Sequence, residues 1–172
     1  MSYATAALAT YANILGTLDT LVSKAEAHGK GETLLAARLA EDMFPLSTQI
    51  RFVCNMPGET LARMTGLDFT SSDTDPATFA EARERIAAAK ALIAQSDPAA
   101  WPASDAPVEF TLPNGMAFAM QAHEYCRDWA IAQLYFHATA AYAILRREGL
   151  AIGKAEFVGY MFRYMKQPAP TA

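Results

Sequence analysis

Two cysteines, Cys54 and Cys126, are all that the chain carries. They form no disulfide framework, so a reducing, cytoplasmic compartment is expected. Cations are also few: 14 Lys and Arg stand against 18 Asp and Glu, a formal net charge of −4. They are scattered, whereas phosphate binding needs them clustered, so a nucleic-acid partner is excluded. The densest pair, Arg146 and Arg147, falls at a predicted helix C-terminus, where positive charge meets the dipole favourably. No apolar run reaches membrane length. The opening MSYATAALATYANILG has no basic region, and its apolar residues are spaced, so it reads as neither a signal peptide nor a membrane span. Internal repeats, low-complexity linkers and complete catalytic or metal-binding motifs are lacking as well.

What is present suits one domain over residues 1–172. Hydrophobic residues make up 52% of the chain, enough to bury a core without staples. Leu8, Tyr11, Leu15, Leu18 and Val22 recur at three- and four-residue intervals, which predicts a helix over 3–28, capped by Ser2 and stopped at Gly29. TLLAARLA reads as a brief helical turn. Asp42 is the expected N-cap of a second helix, with Leu46, Ile50, Val53, Leu61 and Met64 on its stripe and Gly66 at its end. Pro57 lies inside that run and is expected to kink or break it. Asp75-Pro76 restarts the chain as N-cap and N1 of a third helix over 76–95, with Phe79, Ile86 and Ile93 seven residues apart. A Pro-rich passage, with Trp101 as its anchor, leads to VEFTL and MAFAM around Pro113-Asn114-Gly115, a hairpin signal. Such a hairpin is marginal alone and should lie against the helices. Residues 121–147 form the longest helical pattern, and Phe157, Tyr160, Met161 and Tyr164 suggest a short fifth helix. The fold class expected is therefore all-α: an antiparallel four-helix bundle with a small β-hairpin before the last long helix.

Motifs that resemble chemistry fail on defining residues. His123-Glu124-Tyr125-Cys126-Arg127 begins like the zinc-protease H-E-x-x-H, but Arg127 would repel the ion that a second His should hold. The run from Gly149 to Lys154 has three residues between its glycines, and Ala155 stands where a phosphate loop needs Ser or Thr. It reads as a helix stop and turn. Cys54 and Cys126 read as small buried hydrophobes. Asp42, Gln49 and Asn55 are polar residues of helix two able to reach the centre. A seam of His123, Cys126, Ala130, Gln133, His137, Ala140 and Ile144 runs along the last long helix. His123 and His137, fourteen residues apart, are separated by roughly 21 Å of helix and cannot share an ion. His137 sits between Phe136 and small residues. It is either a core histidine satisfied by hydrogen bonds or a ligand-binding group.

FHATAAYAILRREGLAIGKAEFVG and ARLAEDMFPLSTQIRFVC resemble an uncharacterised bacterial family within the DinB-like superfamily. The likeness covers most of the chain, including Asp42, Met43, Phe44, Pro45, His137, Tyr142, Leu145, Arg146, Gly153 and Lys154. It implies a DinB-like four-helix bundle, often a homodimer. Many such proteins hold a divalent metal, zinc or nickel, with one His from helix two and an H-x-x-x-H pair on helix four, and several use thiol cosubstrates. Here only His137 matches. Gln133 stands in place of the first His of the pair, and Asp42 or Gln49 is the nearest helix-two substitute. The site set is therefore His137, Gln133, Gln49 and Tyr142, with His137 as the one candidate metal ligand. Three functions are consistent with this: a small-molecule-binding bundle without a complete metal triad, a metal-dependent thiol transferase or hydrolase using His137, or an interaction protein presenting its aromatic tail.

Overall fold

The computed structural model describes residues 1–166. Helix α1 spans Tyr3–Glu26, α2 Leu46–Thr65 and α3 Phe79–Ala94. A hairpin of β1 (Pro107–Thr111) and β2 (Ala117–Gln121) follows. The rod α4 runs without interruption over residues 122–147, and α5 is the short Lys154–Phe157. Single 3-10 segments occupy Gly31–Ala36, Pro98–Ala100 and Gly159–Tyr164. Helix α1 packs on α3 and α4, and α2 packs on the same two. Ile14, Leu15, Leu18, Ile50, Phe79, Ile86, Leu134 and Ile144 fill the space between them, each almost wholly removed from water.

The helix boundaries correct three sequence expectations. Ser2 caps α1 as expected, but the helix ends at Glu26 and not at residue 28. Asp42 does not cap α2. Phe44 precedes a proline and is disfavoured in helical conformation, so the chain stays extended through Pro45, and Leu46 begins the helix by donating to the Ala37 carbonyl. Nor does Asp75 cap α3. Its carboxylate is taken by α2, and Thr78 caps instead, accepting from the Glu81 N–H. The N–H of Phe79 is satisfied by Glu32 from the first 3-10 segment. Pro57 does not break α2, which continues to Gly66 in the left-handed conformation. Beyond the proline, Thr60, Leu61 and Met64 are buried. That packing outweighs the local cost of about 3 kcal/mol for an interior proline.

The hairpin pairs antiparallel, with Phe110 opposite Phe118. Gly115 donates to the Leu112 carbonyl and alone in the turn has positive φ. The loop is thus a turn over Leu112–Gly115 closed by a glycine bulge, not a two-residue Asn-Gly turn. Phe110 stacks on Phe118 and meets the edges of Tyr125 and Trp129, which seats the hairpin on α4. Trp101 is buried, the anchor expected of it. At the other end of α4, Gly149 and Leu150 donate back to Arg146 and Leu145, a Schellman stop. Arg146 donates onward to the Ile152 carbonyl, so the glycine-rich run is a turn.

Within α4, Tyr125–Ala130 is a π segment, and Ile131 donates to the Cys126 carbonyl five residues back. The extra residue shifts the phase of everything after it. From Cys126 onward the buried residues are Cys126, Ala130, Leu134, Ala138, Ala140, Ala141, Ile144 and Leu145. Of the seam expected from the sequence, Cys126, Ala130, Ala140 and Ile144 are buried, and two members, Gln133 and His137, are less so. These two are half-buried.

The α2–α3 connection crosses α2 as a strap. Asn55 grips Ser72 twice, donating to its carbonyl at 2.8 Å and accepting from its N–H at 3.2 Å. Asp75 accepts from Thr48 and from Arg51 Nε at 2.6 Å. Burial pushes the Asp75 carboxyl upward, but these donors and the Arg51 charge outweigh it and hold the group below the usual carboxylate range. Its contribution is therefore complete above the ordinary aspartate range and is lost as pH falls through the lower, folded value. Asn55→Ala is expected to cost about 2 kcal/mol, measured by urea unfolding, and to open residues 67–77 to limited proteolysis. Asp75→Asn should open the same loop at neutral pH. Wild type should reproduce that sensitivity only in acid.

Candidate functional site

Gln49, in the first turns of α2, is almost fully buried. Its amide nitrogen donates to the Phe44 carbonyl at 3.2 Å, which leaves Oε1 facing His137 Nδ1 at 2.8 Å. An amide oxygen only accepts, so Nδ1 carries the proton and Nε2 presents a bare lone pair. Nε2 makes no hydrogen bond to the described residues and is open to solvent. The imidazole lies tilted against Phe52, with centroids 4.6 Å apart, and meets Phe136 edge-on at 5.2 Å. Phe44 meets Phe52 in turn at 5.5 Å. Burial lowers the His137 pKa from 6.5 to about 4, so the ring is neutral at physiological pH. An apolar groove of about 420 Å3 starts at Phe136 and runs past Ala140, Leu39 and Met43. His137 does not line this groove, but Phe136, which its ring meets, does.

Of the residues predicted for the site, the structure joins only Gln49 and His137. Gln133, one turn before His137, hydrogen-bonds to neither. Tyr142 lies elsewhere, edge-on to Phe157 at 5.6 Å, in a separate 190 Å3 depression with Thr139 and Lys154. Asp42 stays in the exposed turn ahead of α2. His123 is tied to the Ser104 carbonyl at 2.8 Å, far from His137 along the rod. The aromatic surround of Phe44, Phe52 and Phe136 was not anticipated. Phe52, three residues after Gln49 on one helix face, is the signal that would have pointed to it.

These residues do not fit a tightly held divalent ion. Zinc sites need three or four donors, and His137 offers one nitrogen with a neutral amide and aromatic rings around it. Among the described residues no group of three or more His, Cys, Asp or Glu is placed to hold a metal. No described helix is long and apolar enough to cross a membrane.

The helical fold with its inserted hairpin is that of a DinB-like protein. It aligns with the crystal structure of a DinB family member from Shewanella denitrificans at 30% identity and a TM-score of 0.77, covering 95% of this chain and 93% of that one. Residues 3–158 match the family described as a domain of unknown function, DUF1993, and the chain belongs to that family. No functionally curated protein matches it.

The neutral histidine makes a pH prediction. Between about 6.5 and about 4 the unfolded chain takes up a proton that folded His137 refuses. Its contribution is therefore present above pH 6.5 and is lost progressively as pH falls toward 4. His137→Gln should flatten this part of the stability curve, measured by urea unfolding at half-unit pH steps, since the other two histidines remain.

Proposed function

We propose that this protein is an antiparallel four-helix bundle that binds a small apolar molecule at His137, without a tightly bound metal. The observation that carries the reading is the unpartnered Nε2 lone pair. Gln49 holds it in one tautomer, and Phe52 and Phe136 surround it with apolar faces. A neutral acceptor among aromatic rings, beside an apolar groove, favours a flat ligand with one hydrogen-bond donor. A phenol is the simplest probe of that class. A cytoplasmic location and a homodimeric state belong to the same reading. Support comes from the two buried free thiols and from likeness to the DinB-like proteins.

The metal-assisted transferase or hydrolase has no donor set here to favour it, and the aromatic tail at Met161, Phe162 and Tyr164 is exposed without a partner that identifies its use. Calorimetry with phenol and with anisole, which lacks the donor, tests the proposal. Phenol should bind roughly fivefold more tightly, the worth of one net hydrogen bond. His137→Phe should remove that preference while keeping the fold. Equal affinity for the two probes, or stoichiometric zinc that survives desalting in wild type and vanishes in His137→Phe, would overturn it.

A further inference from the structure

Beneath the strap, between α2 and α3, lies a solvent-open groove of about 340 Å3. It is separate from the His137 site. Phe69, Ala88, Ala89 and Leu92 give it apolar walls, Asn55, Thr70 and Ser72 add polar edges, and the Cys54 thiol and the Arg85 guanidinium are its titratable groups. Phe69 is fixed in place by Gly58 of α2, because any Cβ there would run into the ring. The wall is therefore built against bare helix backbone.

Arg85 is the informative group. One terminal nitrogen donates to Ser72 Oγ at 3.2 Å and to the Thr74 carbonyl. Arg85 takes part in none of the ion pairs among the described residues, although acidic side chains outnumber basic ones in the chain. Its remaining N–H groups have no acceptor there. Cys54 is 8% exposed and makes no hydrogen bond. Burial pushes its thiol up to about 12, so it is uncharged and does not repel an anion. A half-buried guanidinium without a counter-ion, at the edge of a groove with apolar walls and a neutral thiol, is complementary to a carboxylate carrying a hydrocarbon body.

We propose that the groove binds a small aliphatic monocarboxylate, its carboxylate on Arg85 and its chain along Phe69, Ala88 and Leu92 toward Cys54. The size agrees, since sites for small ligands start at about 300 Å3. Asn55 holds Ser72 independently of Arg85, so the strap keeps its place when the guanidinium turns to a ligand.

The test uses hexanoate and 1-hexanol, which share a chain and differ in the anionic head. It is run in full-length protein carrying Cys126→Ser, which leaves Cys54 as the one thiol. Calorimetry should give hexanoate at least tenfold tighter binding than hexanol. Saturating hexanoate should also slow the reaction of Cys54 with methyl methanethiosulfonate. Arg85→Gln should abolish the preference for the acid, and Arg85→Lys should keep part of it. Because Arg85→Gln also removes the bonds to Ser72 and Thr74, Ala88→Trp serves as the second variant: it fills the groove, leaves Arg85 in place and should abolish binding of both probes. Equal binding of the two probes, hexanoate affinity unchanged in Arg85→Gln or Ala88→Trp, or a Cys54 that hexanoate does not protect or that never reacts, would overturn the proposal. The phenol and anisole comparison at His137 is unaffected by any of these outcomes.

Discussion

The fold depends on satisfying the buried polar face of α2. Five of that helix's side chains, Ser47, Thr48, Gln49, Asn55 and Thr60, are buried despite being polar. Each would cost on the order of 1–3 kcal/mol if left without a partner. The partners come from three other parts of the chain: in the strap Asp75 answers Thr48 and Ser47 and Ser72 answers Asn55, on α4 His137 answers Gln49, and on α1 Tyr11 answers Thr60 at 2.6 Å. An apolar helix of the same shape would tolerate sliding or rotation against its neighbours. This one does not, because a shift of one residue orphans several donors and acceptors at once. The strap, the position of α4 and the tautomer of His137 follow from the same requirement.

Much of this was legible in the sequence, and the failures have identifiable physical causes. The long helices and the hairpin follow from apolar spacing and from Asn114-Gly115, and the DinB-like resemblance agrees with them. The starts of α2 and α3 were misplaced because Asp42 and Asp75 are good caps in isolation. Tertiary demand on Asp75, and the proline after Phe44, decided otherwise. The π segment was the larger gap. No residue in Tyr125–Ala130 announces an added residue, although the seam counted across it still holds at Ala140 and Ile144, which are buried.

The half-buried position of His137 decides the chemistry available at the site. One nitrogen is held by Gln49 and the other is left open. Tyr142, five residues on from His137 in the regular part of the helix, lies on another side of α4, the one that meets Phe157. Only the Gln49–His137 pair was readable from residue type and helix position, and its aromatic setting required the actual phase of α4 against α2. The sequence also gave no warning that Arg85 would lack a counter-ion. Glu81, one turn earlier on α3 and its natural partner, is turned toward the Ala77 N–H at the helix start.

The two sites are chemically unlike, and α2 explains how both persist along one helix. Gln49 and Asn55 are six residues apart, roughly 9 Å along the helix, and they grip different structures, α4 and the strap. At Gln49 the helix spends its polar capacity on fixing an imidazole that accepts. At Asn55 it fixes a loop, and so leaves Arg85 free to donate. A neutral acceptor among aromatic rings discriminates against anions, whereas a guanidinium above an uncharged thiol selects them. A single ligand satisfying both is excluded by charge, so each site has to be tested with its own class of probe.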